Sequence, residues 1–323
     1  MDLKYLLFLQ ELRLTLPHWI EVFFGTISAI TIHPLLYLVP FMIYWCLDKK
    51  KGQTFMIAVW LGTIMNSLAK LSVCCYRPWI RSQEIIPSPL AIHGATGYSF
   101  PSGHSTSATT LFGTLGWLYR KKSRALFAFC CAVIALILFS RNYLGVHTPQ
   151  DILFGLATGT LAIILSIKFC AWAEENRDKD LQVMLAAVGI STLILIYYIF
   201  KNYPRDYTES GELLVDPLRM MRSGIRDCGH ITALAISWYI ERRFINFSTE
   251  GISRAERIAR FLIGAALMWL GTFALIPRLP IDMNYYARNY ARGVITIFPG
   301  ALLAPLAFKP LHALFENIGP SKI

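Results

Sequence analysis

The chain has 323 residues, 55% of them apolar and only 16% charged, with a mean hydropathy of +0.46. Soluble globular domains carry about a quarter charged residues, so this balance excludes a soluble enzyme, a disordered chain and a collagen-like chain. The net charge of +11 sits in short clusters between apolar runs, a pattern of membrane topology and not of nucleic-acid binding.

Residues 1–21 open the chain with an apolar run too short to span a bilayer and without a small-residue cleavage site. Leu6, Leu7, Leu9, Leu12 and Leu14, with Lys4, Glu11 and Arg13 between them, predict an amphipathic helix lying in the membrane interface. Apolar runs near 22–47, 53–76, 103–120, 124–142, 150–172, 181–200, 217–241, 257–276 and 293–316 follow. They predict an all-α fold, a polytopic membrane helical bundle of about nine transmembrane helices. Arg219, Arg222 and Arg226 interrupt the seventh run, so it reads either as a span or as a re-entrant or interfacial helix. Pro299 and Pro305 predict a kink in the ninth. The polar stretch 201–216 reads as a loop. Six of the seven cysteines lie in apolar runs, where they act as small hydrophobes, and no spacing suits a metal.

Lys49, Lys50 and Lys51 follow the first run, Arg120, Lys121, Lys122 and Arg124 the third, and Arg242, Arg243, Arg254, Arg257 and Arg260 the seventh. Strict alternation puts all three clusters on one side, which the positive-inside rule makes cytoplasmic. The loops after the second, fourth, sixth and eighth helices are then extracytoplasmic. The chain reads as a multi-pass protein of a bacterial plasma membrane.

Three polar groups break the apolar pattern on that outer side. Lys70 and Arg77 in KLSVCCYRP are two helical turns apart, so both are expected on one helix face, converging on an anion or snorkelling to headgroups. Pro78 stops the helix and biases Arg77 toward extended backbone. In PSGH, Ser102 suits an N-cap, Gly103 allows close backbone approach, and His104 sits at the edge of an anion held there, or is simply an interfacial histidine. In SRNYLGVHTPQD, Thr148 as N-cap and Pro149 at the first helical position put Asp151 in the first turn. There it orients His147, leaving the other ring nitrogen as nucleophile or base, or serves only as a helix-start acceptor. Together with Arg141, these residues describe a phosphate site that does chemistry and has too few carboxylates for metal catalysis.

KLSVCCYRP, PSGH and SRNYLGVHTPQD match, at every fixed position and in order, the three signatures KxxxxxxRP, PSGH and SRxxxxxHxxxD of the type 2 phosphatidic acid phosphatase (PAP2) superfamily, and residues 53–172 resemble it. The resemblance implies that His147 attacks phosphorus to give a phosphohistidine, Asp151 orients it, and His104 protonates the leaving oxygen. Lys70, Arg77, Ser102, Gly103 and Arg141 would hold the phosphate oxygens, with no metal or cofactor. Vanadium haloperoxidases share the motif on soluble scaffolds, which the hydropathy argues against.

These readings divide the chain into an interfacial helix (1–21), a PAP2-like catalytic core (22–172) and a transmembrane extension (173–323). The leading function is hydrolysis of a phospholipid or isoprenoid phosphate at the outer membrane face, with no nucleic-acid partner. A lipid-to-lipid phosphotransferase, a phosphatase of a small soluble phosphate such as a sugar phosphate, and a non-catalytic lipid binder are the alternatives. Arg219, Arg222, Arg226 and His230 recur at spacings of three, four and four, one helical stripe. It is expected either to anchor the helix to anionic headgroups or to bind a second phosphate or acidic headgroup of the substrate.

Overall fold

The computed structural model describes residues 2–92, 94, 95 and 97–318. His93 and Thr96 of the loop before PSGH, and residues 319–323 of the expected extension, lie outside the described residues. Among the described residues the regular structure is helical, apart from an isolated bridge between Tyr207 and Leu213.

Helix α1 is Asp2–Thr15, and α2 is His18–Thr31. After a break at His33, Pro34–Tyr37 and further helical turns carry the chain on to Leu47. Asp48 caps α3, Lys49–Val73, by accepting from the Lys51 N–H, and α3 ends on Cys74 in the left-handed conformation. α4 begins as Gly103–Ala108 and continues through a π-turn to Tyr119. Next come α5 (Arg124–Tyr143), α6 (Pro149–Glu175) and α7 (Asp180–Phe200). The chain closes with α8 (Pro217–Ile240), α9 (Arg254–Trp269), α10 (Tyr285–Phe298) and α11 (Ala304–Ile318).

Seven helical runs among the described residues are long and apolar enough to cross a membrane. Large apolar side chains such as Leu153, Phe154, Leu193, Leu262 and Phe273 are exposed on them, as lipid-facing surfaces require. The protein is a multi-pass, all-α membrane bundle. The expected count of nine is not reached on length and hydropathy. The two runs that fall short are 103–120, which is short and rich in Ser and Thr, and 217–241, which carries the arginines. Both are interior helices. A span can be polar where protein, not lipid, surrounds it, and α8 buries Asp227, His230, Thr232 and Ser237.

Small residues make this close packing possible. A Cβ at Gly155 of α6 would lie 2.7 Å from the Ser102 carbonyl oxygen and 2.8 Å from the Ser105 Cβ, and one at Gly159 would lie 2.6 Å from the Thr109 Cβ. In the C-terminal half, α8 and α10 cross where Gly229 faces Gly293.

The basic clusters gather at one end of the bundle. Lys49 pairs with Glu241 at 2.7 Å, Lys50 with Glu174 at 3.0 Å, and Arg242 with Asp180 at 2.9 Å. The three polar motifs lie at the opposite end. α1 is there too, but Arg13 is not on a solvated face: it is buried and donates to the carbonyls of Tyr143 and Ile86. The helix thereby braces the loops beside the motif end, while Phe8 and Leu14 remain exposed.

Candidate active site

Lys70 and Arg77 meet at one cavity, but not by sharing a helix face. The left-handed Cys74 ends α3, and Arg77 is extended immediately before Pro78, as steric conflict with the proline ring demands. The Lys70 ammonium donates to the carbonyls of Tyr98 (3.0 Å), Ser99 (3.2 Å) and Pro101 (2.6 Å), tying down the loop that leads into PSGH. Arg77 is buried, and its guanidinium donates to the carbonyls of Gly97 (3.1 Å) and Val146 (2.8 Å). It therefore bridges the first motif to the third.

Ser102 caps α4, with its hydroxyl accepting from the Ser105 N–H at 3.3 Å and the Ser105 hydroxyl at 2.9 Å. Its own N–H donates to the Asp151 carbonyl at 2.9 Å, which fixes the start of α4 against the start of α6. Asn66, one turn before Lys70 on α3, donates to the Thr106 hydroxyl at 2.8 Å. Gly103 and His104 face the cavity.

In the third motif, Thr148 and Asp151 form a reciprocal capping box. Asp151 Oδ2 accepts from the Thr148 N–H at 2.8 Å and from the Ser99 hydroxyl at 2.6 Å. His147 Nδ1 is 3.4 Å from both Asp151 Oδ2 and Ser99 Oγ, a long contact in which the serine shares the orienting role. The other ring nitrogen, Nε2, is 2.8 Å from Arg77 Nη1. A guanidinium only donates, so Nε2 carries a lone pair and the ring proton belongs on Nδ1, toward Asp151. His147 is 1% exposed. Burial, followed by the charges of Arg77, Arg141 and Lys70, holds its pKa well below the ordinary 6.5.

The sign follows directly. With the pKa depressed, the imidazole stays neutral as pH falls through 6.5 and loses its lone pair only in more acidic solution. A ring-nitrogen NMR titration of the detergent-solubilised protein is expected to show neutral His147 at pH 6. A ring already protonated there would contradict this electrostatic picture.

Arg141, at the end of α5, is 1% exposed and bonds through one Nη to Ser28 of α2. Its Nε and second Nη have no hydrogen-bond partner among the described residues. A buried guanidinium left half-bonded is costly unless an anion completes it.

The resulting cavity, about 330 Å³, is walled on one side by Lys70, Arg77, His104 and His147. Arg219, Arg222 and Arg226 of α8 form part of its other wall. His230 is not brought into that wall. It lies deeper, buried, with Nδ1 3.4 Å from Asp227 Oδ1 and its ring 6.5 Å from that of Trp60. Sequence reasoning missed Ser28, Asn66 and Ser99. Asn66 carried a signal, since it is a polar residue four before Lys70 on an apolar helix, hence on the same face. Ser28 and Ser99 carried none.

Residues 53–175 match the family model described as the PAP2 superfamily, and residues 225–314 match a second, described as the transmembrane extension of PAP2 superfamily phosphatases. An undecaprenyl-diphosphatase of Sulfolobus acidocaldarius is 30% identical over 144 residues, covering 43% of this chain and 63% of the relative. A phosphatidylglycerophosphatase B of Bacillus subtilis is 28% identical, covering 40% and 67%. The lipid phosphate phosphatase delta of Arabidopsis thaliana is 24% identical, covering 57% and 47%. The chain thus spans about half to two thirds of the length of these curated relatives. No solved structure matches it significantly. All three motifs lie within the first matched segment, and much of the remaining bundle is matched by an extension described for the same superfamily, so the chain belongs to the PAP2 superfamily.

Proposed function

We propose that the protein is a membrane-integral phosphatase that hydrolyses a lipid phosphate or isoprenoid diphosphate through a phosphohistidine on His147. The observation that carries this reading is the Nε2 lone pair of a buried, neutral His147, held beside Arg77 at a cavity shared with Lys70 and His104. A phosphoryl group entering there takes over the guanidinium hydrogen bond, and Nε2 is then free to attack phosphorus. The P–N bond forms as the P–O bond to the leaving group breaks, and protonated His104 gives its proton to the departing oxygen. Neutral His104 next takes a proton from water as that water attacks the phosphohistidine. The P–N bond breaks, and inorganic phosphate and both imidazoles are released. Arg77, Ser102, Gly103 and Arg141 hold the oxygens in this scheme, Lys70 adds its charge beside them while its donors stay on the loop carbonyls, and Asp151 with Ser99 keeps the tautomer. Charge developing on the phosphoryl oxygens is met by fixed cations, which is where most of the acceleration arises.

The nine-span topology, with α4 and α8 as interior spans, fits the two ends of the bundle. By the positive-inside rule the end holding Lys49, Lys50 and Arg242 is cytoplasmic, and the site faces the extracytoplasmic side of the plasma membrane. Residues 1–21 act as an interfacial helix, 22–172 as the catalytic core and 173–323 as the extension. The names of the relatives, an undecaprenyl-diphosphatase and two lipid-type phosphatases, support a lipid substrate.

A second reading has its own support. The cavity walls below the motifs include Thr63, Asn66, Ser67 and Ser107, which suit a hydroxylated group better than an acyl chain. That favours a polar headgroup or a small sugar phosphate at this position, with any lipid tail directed elsewhere.

The test is phosphate release by the full chain across a panel of lipid monophosphates, lipid diphosphates and sugar phosphates, with and without EDTA. Release from at least one lipid phosphate that persists in EDTA is expected, because the cavity supplies cations where a metal site supplies carboxylates. Vanadate is expected to inhibit as a transition-state mimic bonded to His147. Loss of activity in EDTA that magnesium restores would contradict the cationic mechanism.

A further inference from the structure

We infer that Arg219, Arg222 and Arg226 form a second anion subsite in the catalytic cavity, which holds a second phosphate group of the substrate. The inference rests on the phosphatase reading above and names the substrate feature that α8 selects. Three observations carry it.

The first is placement. The three arginines of α8 line the same cavity as Lys70, Arg77 and His147, and all three are exposed into it or at its mouth. The second is their lack of partners. Among the described residues, none of the three guanidinium groups makes a hydrogen bond or an ion pair with the protein. Other arginines of this chain are engaged by protein groups: Arg13 holds two carbonyls, Arg242 binds Asp180, and Arg260 binds Glu256. The third is charge. The one carboxylate that α8 contributes to the wall, Asp227, already accepts from the Ser67 hydroxyl and faces His230.

The cavity therefore has two similar halves. Lys70 and Arg77 line the first, with Arg141 and Asp151 set about His147, and Arg219, Arg222 and Arg226 line the second with Asp227. A phosphate dianion offsets the excess of the first half and leaves that of the second unmatched. Three guanidinium forks at one wall fit a second phosphate, since a phosphate accepts bidentate arginine bonds in several directions. The lining also includes Asn66 and Ser67, which suit either a shared oxygen bridge or a short hydroxylated linker. His230, although on the same helical stripe, is excluded by its depth. A membrane-anchoring role for the arginines would instead be indifferent to what the catalytic half holds.

Competitive inhibition of lipid monophosphate hydrolysis by the full chain in detergent micelles tests this. The probes are inorganic phosphate against pyrophosphate, and glycerol phosphate against glycerol bisphosphate, which separate a direct bridge from a linker. In the unaltered protein at least one bisphosphate is expected to bind about tenfold or more tighter than its monophosphate counterpart. In the Arg222→Ala, Arg226→Ala double variant that advantage is expected to shrink to about twofold or less, while inhibition by the monophosphates weakens by less than about threefold. The Arg222→Lys, Arg226→Lys variant is expected to keep part of the advantage, because charge remains and the fork is lost. No bisphosphate advantage in the unaltered protein, an advantage that survives the alanines, or an equal loss for both classes of probe would overturn the subsite. Failure of the phosphatase reading looks different: no lipid phosphate would be hydrolysed by the unaltered protein at all, whereas probe binding measured by calorimetry would still report on α8.

Discussion

His147→Ala is expected to lower kcat by about 10⁴-fold or more, while the protein still inserts, purifies and unfolds at its usual temperature. The alanine removes the Nε2 lone pair that Arg77 holds at the cavity wall, and with it the proposed attacking atom. A loss of that size is about 5 kcal/mol of transition-state stabilisation. It is measured as single-turnover phosphate release from purified protein, with vanadate binding as a companion. Asp151→Asn is expected to be milder. Asp151 is 3.4 Å from Nδ1 and shares its orienting role with Ser99, so the amide disturbs the tautomer without deleting the nucleophile. Single-turnover release from His147→Ala at the unaltered rate would remove His147 from the mechanism.

Gly155→Val is expected to cost about 100-fold in kcat/KM although residue 155 does not line the cavity. A Cβ there would lie 2.7 Å from the Ser102 carbonyl oxygen, closer than packed side chains come, and that oxygen is backbone that cannot rotate away. α6 and α4 must move apart, which breaks the Ser102 N–H to Asp151 carbonyl bond and shifts His104 relative to His147. The packing strain itself is on the order of 1–3 kcal/mol, read as a lower unfolding midpoint. Gly189→Val on α7, where nothing lies within 4 Å, is the control and is expected to leave both readouts near those of the unaltered protein. Equal behaviour of the two variants would show that the α4–α6 contact does not set the site.

Local rules make parts of this architecture legible in the sequence. The start of α6 is written in Thr148, Pro149 and Asp151, whose side chains satisfy the helix end among themselves, and the extended backbone of Arg77 follows from Pro78. What sequence spacing does not carry is the partner of a side chain from a distant segment. Lys70 spends its donors on carbonyls of residues 98, 99 and 101, and Arg141 is held by Ser28, more than a hundred positions away. Periodicity likewise fixes a face but not a depth. Arg219 and His230 share one stripe, yet eleven residues of helix separate them by about 16 Å, enough to leave one at the cavity and bury the other against Trp60. The seven-helix outcome on hydropathy has a related cause. α4 and α8 are polar because α3, α6 and α10 surround them, and a hydropathy window registers composition without neighbours.

The central claim is a covalent intermediate on one nitrogen of one residue. The most direct measurement is rapid acid-free quenching of the enzyme during turnover of a phosphorus-labelled lipid phosphate, followed by proteolysis at alkaline pH and mapping of the label. The account predicts label that survives alkali, is lost in acid, and resides on the peptide containing His147, with none in His147→Ala. Label on any other residue, or label that persists in His147→Ala, would contradict it.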